Sequence, residues 1–182
     1  EVRGGVPFRA QPRSMIPAQG AARIPCGFEA KKLFFLGCIV SGGKPLETRG
    51  HVKILFRDGS AERFPLMVGF TLDGDHKLLS RSKAIHIHPS GDAFLYYLAI
   101  QPKPAVIDRI ELERSPEFPG AAPLICAITC ETSATGEHLK ELPDCAPGPE
   151  EAAWIESHAL SARSPSMEGI VAEIRRAHKI ER

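Results

Sequence analysis

Residues 51–66, HVKILFRDGSAERFPL, restrict the fold more than any other stretch of the chain. Val52, Ile54 and Phe56 alternate with His51, Lys53 and Arg57, a period of two that sends apolar side chains to one face and polar ones to the other. Asp58-Gly59 then reverses the chain. A two-residue turn at that dipeptide would set Phe64 opposite Lys53 and expose it. An odd loop centred on Gly59 pairs Ile54 with Phe64 and Val52 with Leu66. Register follows the apolar face, so the odd loop is expected.

The same strand-and-turn texture runs through the first two thirds of the chain, where many of the sixteen glycines and sixteen prolines punctuate short apolar runs. The opening, GGVPFRAQPRSMIPAQGAARIPCGF, should be extended and edge-like, because proline cannot donate to a sheet ladder. KKLFFLGCIV reads as a strand covered on both faces, with Gly37 marking a bulge or a close backbone approach. KAIHIH is a short strand, PSGD a turn, and AFLYYLAI a continuous apolar strand suited to a central place. AVIDRIELER resumes alternation, with Ile110 and Leu112 inward and Arg109, Glu111 and Glu113 outward. LICAITCET is the last strand. Seven or eight strands in roughly 130 residues, with no long helical pattern between them, predict an all-β antiparallel β-sandwich.

After Thr135 the character changes. GEHLKELPDCAPGPEE is a polar, proline-bearing linker, and PEEAAWIESHAL and SPSMEGIVAEIRRAHKI read as two short helices. Ser164 caps the second ahead of Pro165, and Met167, Ile170, Val171 and Ile174 form one stripe. A stripe that short must pack on something: the sandwich, a second copy or a neighbouring domain. The expected organisation is a β-sandwich module over residues 1–135 and a linker with docking helices over 136–182.

Acidic and basic residues nearly cancel, 22 against 23, which argues against a nucleic-acid binder. No apolar run approaches the roughly 20 residues of a membrane helix. Cys26, Cys38, Cys126, Cys130 and Cys145 form no CxxC pair, so a thiolate zinc cluster is not expected. An odd count leaves one thiol outside any intramolecular disulfide. Cys126 and Cys130 share a strand about 13 Å apart, too far to bridge each other. Most of these cysteines are expected to serve as small buried apolar residues.

The ordered set GGVPFRA, KKLFFLG, VKILFRDGSAERFPLMVG, FLYYLAIQPKPAVIDRIELERS and APLICAIT, over roughly residues 4–131, resembles a known family. It is similar to the galactose-binding-like jelly-roll modules attached to secreted or periplasmic bacterial carbohydrate-active enzymes. The chain departs from that pattern at Gln101, where the family often has asparagine, and at FTLDGD, where it often has tryptophan. The resemblance implies a galactose-binding-like jelly roll with no shared catalytic residues and a secreted or periplasmic location. It implies a non-catalytic accessory module that binds carbohydrate or packs against a neighbouring catalytic domain.

AIHIHPSGDAF carries the competing chemistry. On a strand His86 and His88 share a face, and Asp92 after the turn can swing in as a carboxylate ligand. HIHPSGD resembles the first half of a cupin metal motif, which would make the chain a cupin-like metalloenzyme. The second half is missing, since His138, His158 and His178 fall in the linker or the predicted helices. The plainer reading is a polar strand face alternating with Ile85 and Ile87. Asp73 to His76, DGDH, could contribute to a structural calcium, the one cofactor compatible with the module reading. No GxSxG, P-loop, HExxH or Rossmann pattern occurs. Phe34, Phe56, Phe64 and Phe94 fit core positions, and adjacent Tyr96 and Tyr97 must face opposite sides. Trp154 reads as a docking residue, so no aromatic platform for a sugar ring is assigned. A third reading is a structural module that forms homo-oligomers through its C-terminal helices.

Overall fold

The computed structural model describes residues 2–3, 6–7, 16–17, 20–39, 43–74, 78–79, 82–90, 93–118, 123–132, 149–162 and 167–180. The chain forms strands β1 (Val2–Arg3), β2 (Val6–Pro7), β3 (Ala21–Phe28), β4 (Ala30–Ile39), β5 (Thr48–Phe56) and β6 (Ala61–Met67). Strands β7 (Ala84–Ser90), β8 (Ala93–Ile100), β9 (Ile107–Arg114) and β10 (Pro123–Thr132) follow, then helices α1 (Pro149–His158) and α2 (Met167–His178). Apart from a small β1–β2 ribbon, the strands make two four-stranded antiparallel sheets, β10-β4-β8-β7 and β3-β9-β5-β6. The pairs β5–β6, β4–β8 and β3–β9 nest one inside the next along the chain.

Alternation places Leu33, Phe35, Tyr96, Leu98, Ile100 and Ile125 of one sheet against Val52, Ile54, Phe64, Leu66, Ile110 and Leu112 of the other in a single buried cluster. The arrangement is sandwich-like, and burying each such side chain contributes about 1.5–3 kcal/mol. β3 lies on an edge and tolerates Pro25, as its composition requires. β8 lies inside its sheet between β4 and β7, matching its apolar run.

The β5–β6 loop is odd, but it centres on Asp58 and not on Gly59. Val52 pairs with Phe64 and Ile54 with Glu62, a shift of two residues from the expected register. Such a shift leaves every side chain on its face, so the apolar pattern alone cannot detect it. Local turn chemistry decides it. Asp58 Oδ1 accepts from the Ser60 N–H at 2.9 Å, and Gly59 takes the left-handed conformation at φ 82°. Lys103, from the loop before β9, pins the turn through Asp58 at 2.6 Å and lies over the Phe56 ring. These hydrogen bonds, that to Lys103 foremost, hold the Asp58 carboxyl below its ordinary range.

β4 is buried on both faces, as expected. Phe34 and Leu36 point away from the shared core and join Tyr97, Ala99, Cys126 and Ala127 in a second cluster, closed by Ile155 of α1. Beyond α1, the Leu160 N–H donates to the Ala99 carbonyl at 2.9 Å and the Gln101 N–H to the Leu160 carbonyl at 2.7 Å. Lys32 pairs with Glu156 at 2.7 Å, and the Lys83 ammonium donates to the Ser157 carbonyl. In α2, Ile174 is buried against Leu46, Met67 and Phe70, with Ile170 and Val171 beside it. Ile180 bonds back to the Arg175 carbonyl through left-handed Lys179, a Schellman stop. Ser164, Pro165 and the side chains of Met167 and Trp154 lie outside the described residues.

Gly37 meets both expectations. It lies beside the β10 bulge between Ile125 and Ala127, and a Cβ there would sit 2.0 Å from the Leu124 carbonyl oxygen. Gly37→Ala should destabilise the protein by about 1–3 kcal/mol, because the obstacle is backbone and one of the two strands must move. Urea unfolding monitored by circular dichroism checks this, and an unchanged midpoint would contradict the close approach.

Candidate functional site

The histidine pair belongs to β7, on the outer edge of its sheet. His86 lies across from Tyr96 and Ile87 across from Leu95 in the β7–β8 register. The side chains of His86 and His88, and all of Asp92, lie outside the described residues. Among the described residues no three His, Cys, Asp or Glu side chains gather as a metal site. Of the DGDH segment, Asp73 and Gly74 are described and Asp75 and His76 are not. Asp73 is buried, its carbonyl accepts the Ile39 N–H at 3.2 Å, and a Cβ on Gly74 would strike the Ile39 carbonyl. Asp73 and Gly74 therefore hold this loop against the end of β4.

The most ordered polar constellation is on the outer face of the β3-β9-β5-β6 sheet. Directly paired residues share a face, so the register builds three rows across four strands. Ala21, Glu113, His51 and Pro65 form the first, and Arg23, Glu111, Lys53 and Arg63 the second. Pro25, Arg109, Leu55 and Ala61 form the third. Glu111 was expected outward and is so in direction, yet its side chain is only 8% exposed. Three cations cover it: Arg109 Nε donates at 2.9 Å, with Arg23 at 3.5 Å and Lys53 at 3.6 Å. The Arg109 hydrogen bond, assisted by the positive charges of Arg109, Lys53 and Arg23, holds its pKa below the ordinary carboxylate range against the effect of burial.

The neighbouring row is coupled to this one. Arg63 reaches Glu113 at 3.8 Å, and its Nη2 donates to His51 Nδ1 at 3.1 Å, which requires a neutral imidazole. Burial foremost, and then the charge of Arg63, push the His51 pKa down. Asp108 flanks the third row and accepts from Arg109 Nη1 at 2.8 Å. The rows hold four cations and two carboxylates, and the acceptors are spent on the cations. Arg23 is 75% exposed and Arg63 58%, so spare guanidinium donors face solvent. Guanidinium N–H groups held in place by carboxylates suit hydroxyl, carboxylate or sulfate oxygens. Glu111 does not suit glycoside cleavage as a proton donor, because that role needs a raised carboxyl pKa and its shift is downward.

One aromatic was missed in the sequence. Phe28, at the end of β3 beyond Pro25, is 37% exposed and is the one exposed Phe, Tyr or Trp among the residues whose side chains are described. The pairing with β9 is irregular between Pro25 and Phe28, with Gly27 at φ 96°, and Phe28 comes to lie across from buried Ile107. Gly27 was the available signal. Tyr96 and Tyr97 are both buried, on opposite faces of β8, and Phe34, Phe56 and Phe64 are core residues as expected. The side chain of Phe94 lies outside the described residues.

Comparison of the chain with family models, curated proteins and solved structures returns no match.

Because the Glu111 pKa is lowered on folding, its stabilising contribution is complete above the ordinary value of 4.5 and is lost as pH falls through the folded value. Glu111→Gln should therefore cost about 1–2 kcal/mol at pH 7, between an exposed and a buried pair. That cost should shrink on acidification below pH 4.5. Urea titrations of both proteins at pH 7 and pH 3 measure it, and a constant gap would rule out the ion-pair account.

Proposed function

We propose that this chain is a non-catalytic accessory module of the galactose-binding-like jelly-roll kind, which binds carbohydrate through the outer face of the β3-β9-β5-β6 sheet. The single observation that carries the reading is the contrast between two faces. One sheet is covered by α1 through Ile155, and the other presents rows of ion-paired, partly exposed guanidinium groups. The nested strand pairs support the fold assignment, since a jelly roll is a long hairpin rolled so that successive turns fall in two sheets. The ordered sequence resemblance supports the accessory role and a secreted or periplasmic location.

The donor surplus favours glycans that carry carboxylates or sulfates. No cofactor takes part in this binding. A calcium near Asp73 would be structural, holding the loop after β6. Where the module belongs to a longer enzyme, the same charged face would meet the substrate beside the catalytic domain.

Affinity electrophoresis in gels containing neutral polysaccharides or a polyuronate tests this directly. Retardation should be strongest in the polyuronate, should weaken with added salt, and should fall roughly tenfold or more in Arg23→Ala/Arg63→Ala, on the order of 1.4 kcal/mol. No retardation in any gel would sink the carbohydrate reading. Elemental analysis of protein purified without a histidine tag should find no zinc, iron, manganese or nickel near one per chain. Such a metal, lost in His86→Ala, would replace the module with a metalloenzyme centred on His86 and His88.

A further inference from the structure

We propose that Cys26 and Cys130 form a disulfide that joins the two sheets at their open edge when the protein meets a disulfide oxidant. β3 and β10 are edge strands of their sheets; Glu29 alone joins β3 to β4, and β4 pairs with β10 through Ala30 and Thr132, so the two edges fall on the same side. Both cysteines are half-buried free thiols packed against the same shared core. On β3, Ala22, Ile24 and Cys26 alternate onto that core, and on β10 Ile128 and Cys130 do the same.

The register brings the two thiols to one level. Ala21 pairs with Glu113, while a Cβ on Gly50 would lie 2.5 Å from the Glu113 carbonyl and 3.0 Å from Pro123. The start of β10 thus lies near the level at which β3 begins. Five residues carry β3 from there to Cys26, about 17 Å at strand rise. Seven residues carry β10 to Cys130, about 20 Å once the bulge at Cys126 is allowed for. The two thiols also lie close enough that the charge of Cys26 raises the Cys130 pKa, which burial foremost pushes up to about 12.

The other near pair is different. Cys38 packs on the shared core, whereas Cys126 belongs to the cluster under α1 and donates to the Leu36 carbonyl. Their side chains leave opposite faces of one sheet and cannot meet.

The exchange is balanced with a small-molecule disulfide such as oxidised glutathione. The Cys26 thiolate attacks one sulfur of that disulfide and releases one thiol. The Cys130 thiolate then attacks Cys26 Sγ in the mixed disulfide and releases the second. Two protein thiols lose two electrons and two protons, and the reagent gains both. The bridge closes a loop of roughly 100 residues, and its effect on the unfolded chain should raise the melting temperature by on the order of 10 °C.

The test is to incubate the folded chain with oxidised glutathione, alkylate the remaining thiols, digest without reduction and map the peptides by mass spectrometry. The expected result is one linked peptide pair containing Cys26 and Cys130, with the other cysteines alkylated and the melting temperature raised. Alkylation of both Cys26 and Cys130 in the oxidised sample, or linkage of either to another cysteine, would overturn the proposal. Cys26→Ser and Cys130→Ser should each abolish the oxidant-induced rise in melting temperature. A rise that persists in either variant would overturn it equally.

Discussion

The arrangement depends on the burial of β4 from both sides. A strand reading Leu33-Phe34-Phe35-Leu36 has no polar face to offer water, so its sheet must be covered twice. The β3-β9-β5-β6 sheet covers one side through Val52, Ile54, Phe64 and Leu112. The C-terminal segment covers the other, with Ile155 over Phe34, Leu36 and Tyr97 and with Leu160 bonded to the backbone around Ile100. Exposing that second cluster would leave a contiguous apolar surface of the kind that drives association. The appended helix is in this sense part of the domain core.

This requirement divides the molecule. One outer face is covered by α1 through Ile155, and the outer face of the opposite sheet carries the cross-strand charge rows. Its composition fits that position: alternation demands polar residues outward, and the register turns Arg23, Glu111, Lys53 and Arg63 into one cross-strand row. Glu111 at the centre holds the long side chains of Arg23, Lys53 and Arg109 in place.

The succession of strands along the chain, the two-sheet all-β class and the inward residues of β5 and β9 were legible in the sequence, the last through period-two alternation. β4 and β8 were legible as continuous apolar runs covered on both faces. The hairpin register was legible only in parity. A two-residue slip preserves the apolar face, and the choice fell to Asp58 and Ser60 in the turn. The covering of Glu111 was not legible, since two of its three cations, Arg23 and Lys53, come from strands far away in the chain and only Arg109 is its neighbour on β9. Phe28 escaped notice because it keeps the inward phase of Ile24 and Cys26 and pairs with buried Ile107, yet it ends an edge strand and is left partly uncovered. For the tail, the Ile170, Val171 and Ile174 stripe announced a packed helix without naming Phe70 and Leu46 as its partners.

The central claim, that the C-terminal segment is a fixed cover of the β10-β4-β8-β7 sheet, is tested most directly by native-state hydrogen exchange. The Leu160 and Gln101 amides form the bridge between tail and sheet, so they report docking residue by residue. The account predicts that both exchange with an opening free energy close to that of the buried β8 amides at Tyr97 and Leu98. Exchange of the Leu160 amide at the rate of an unprotected chain, while those β8 amides stay protected, would contradict it and free that face for another partner.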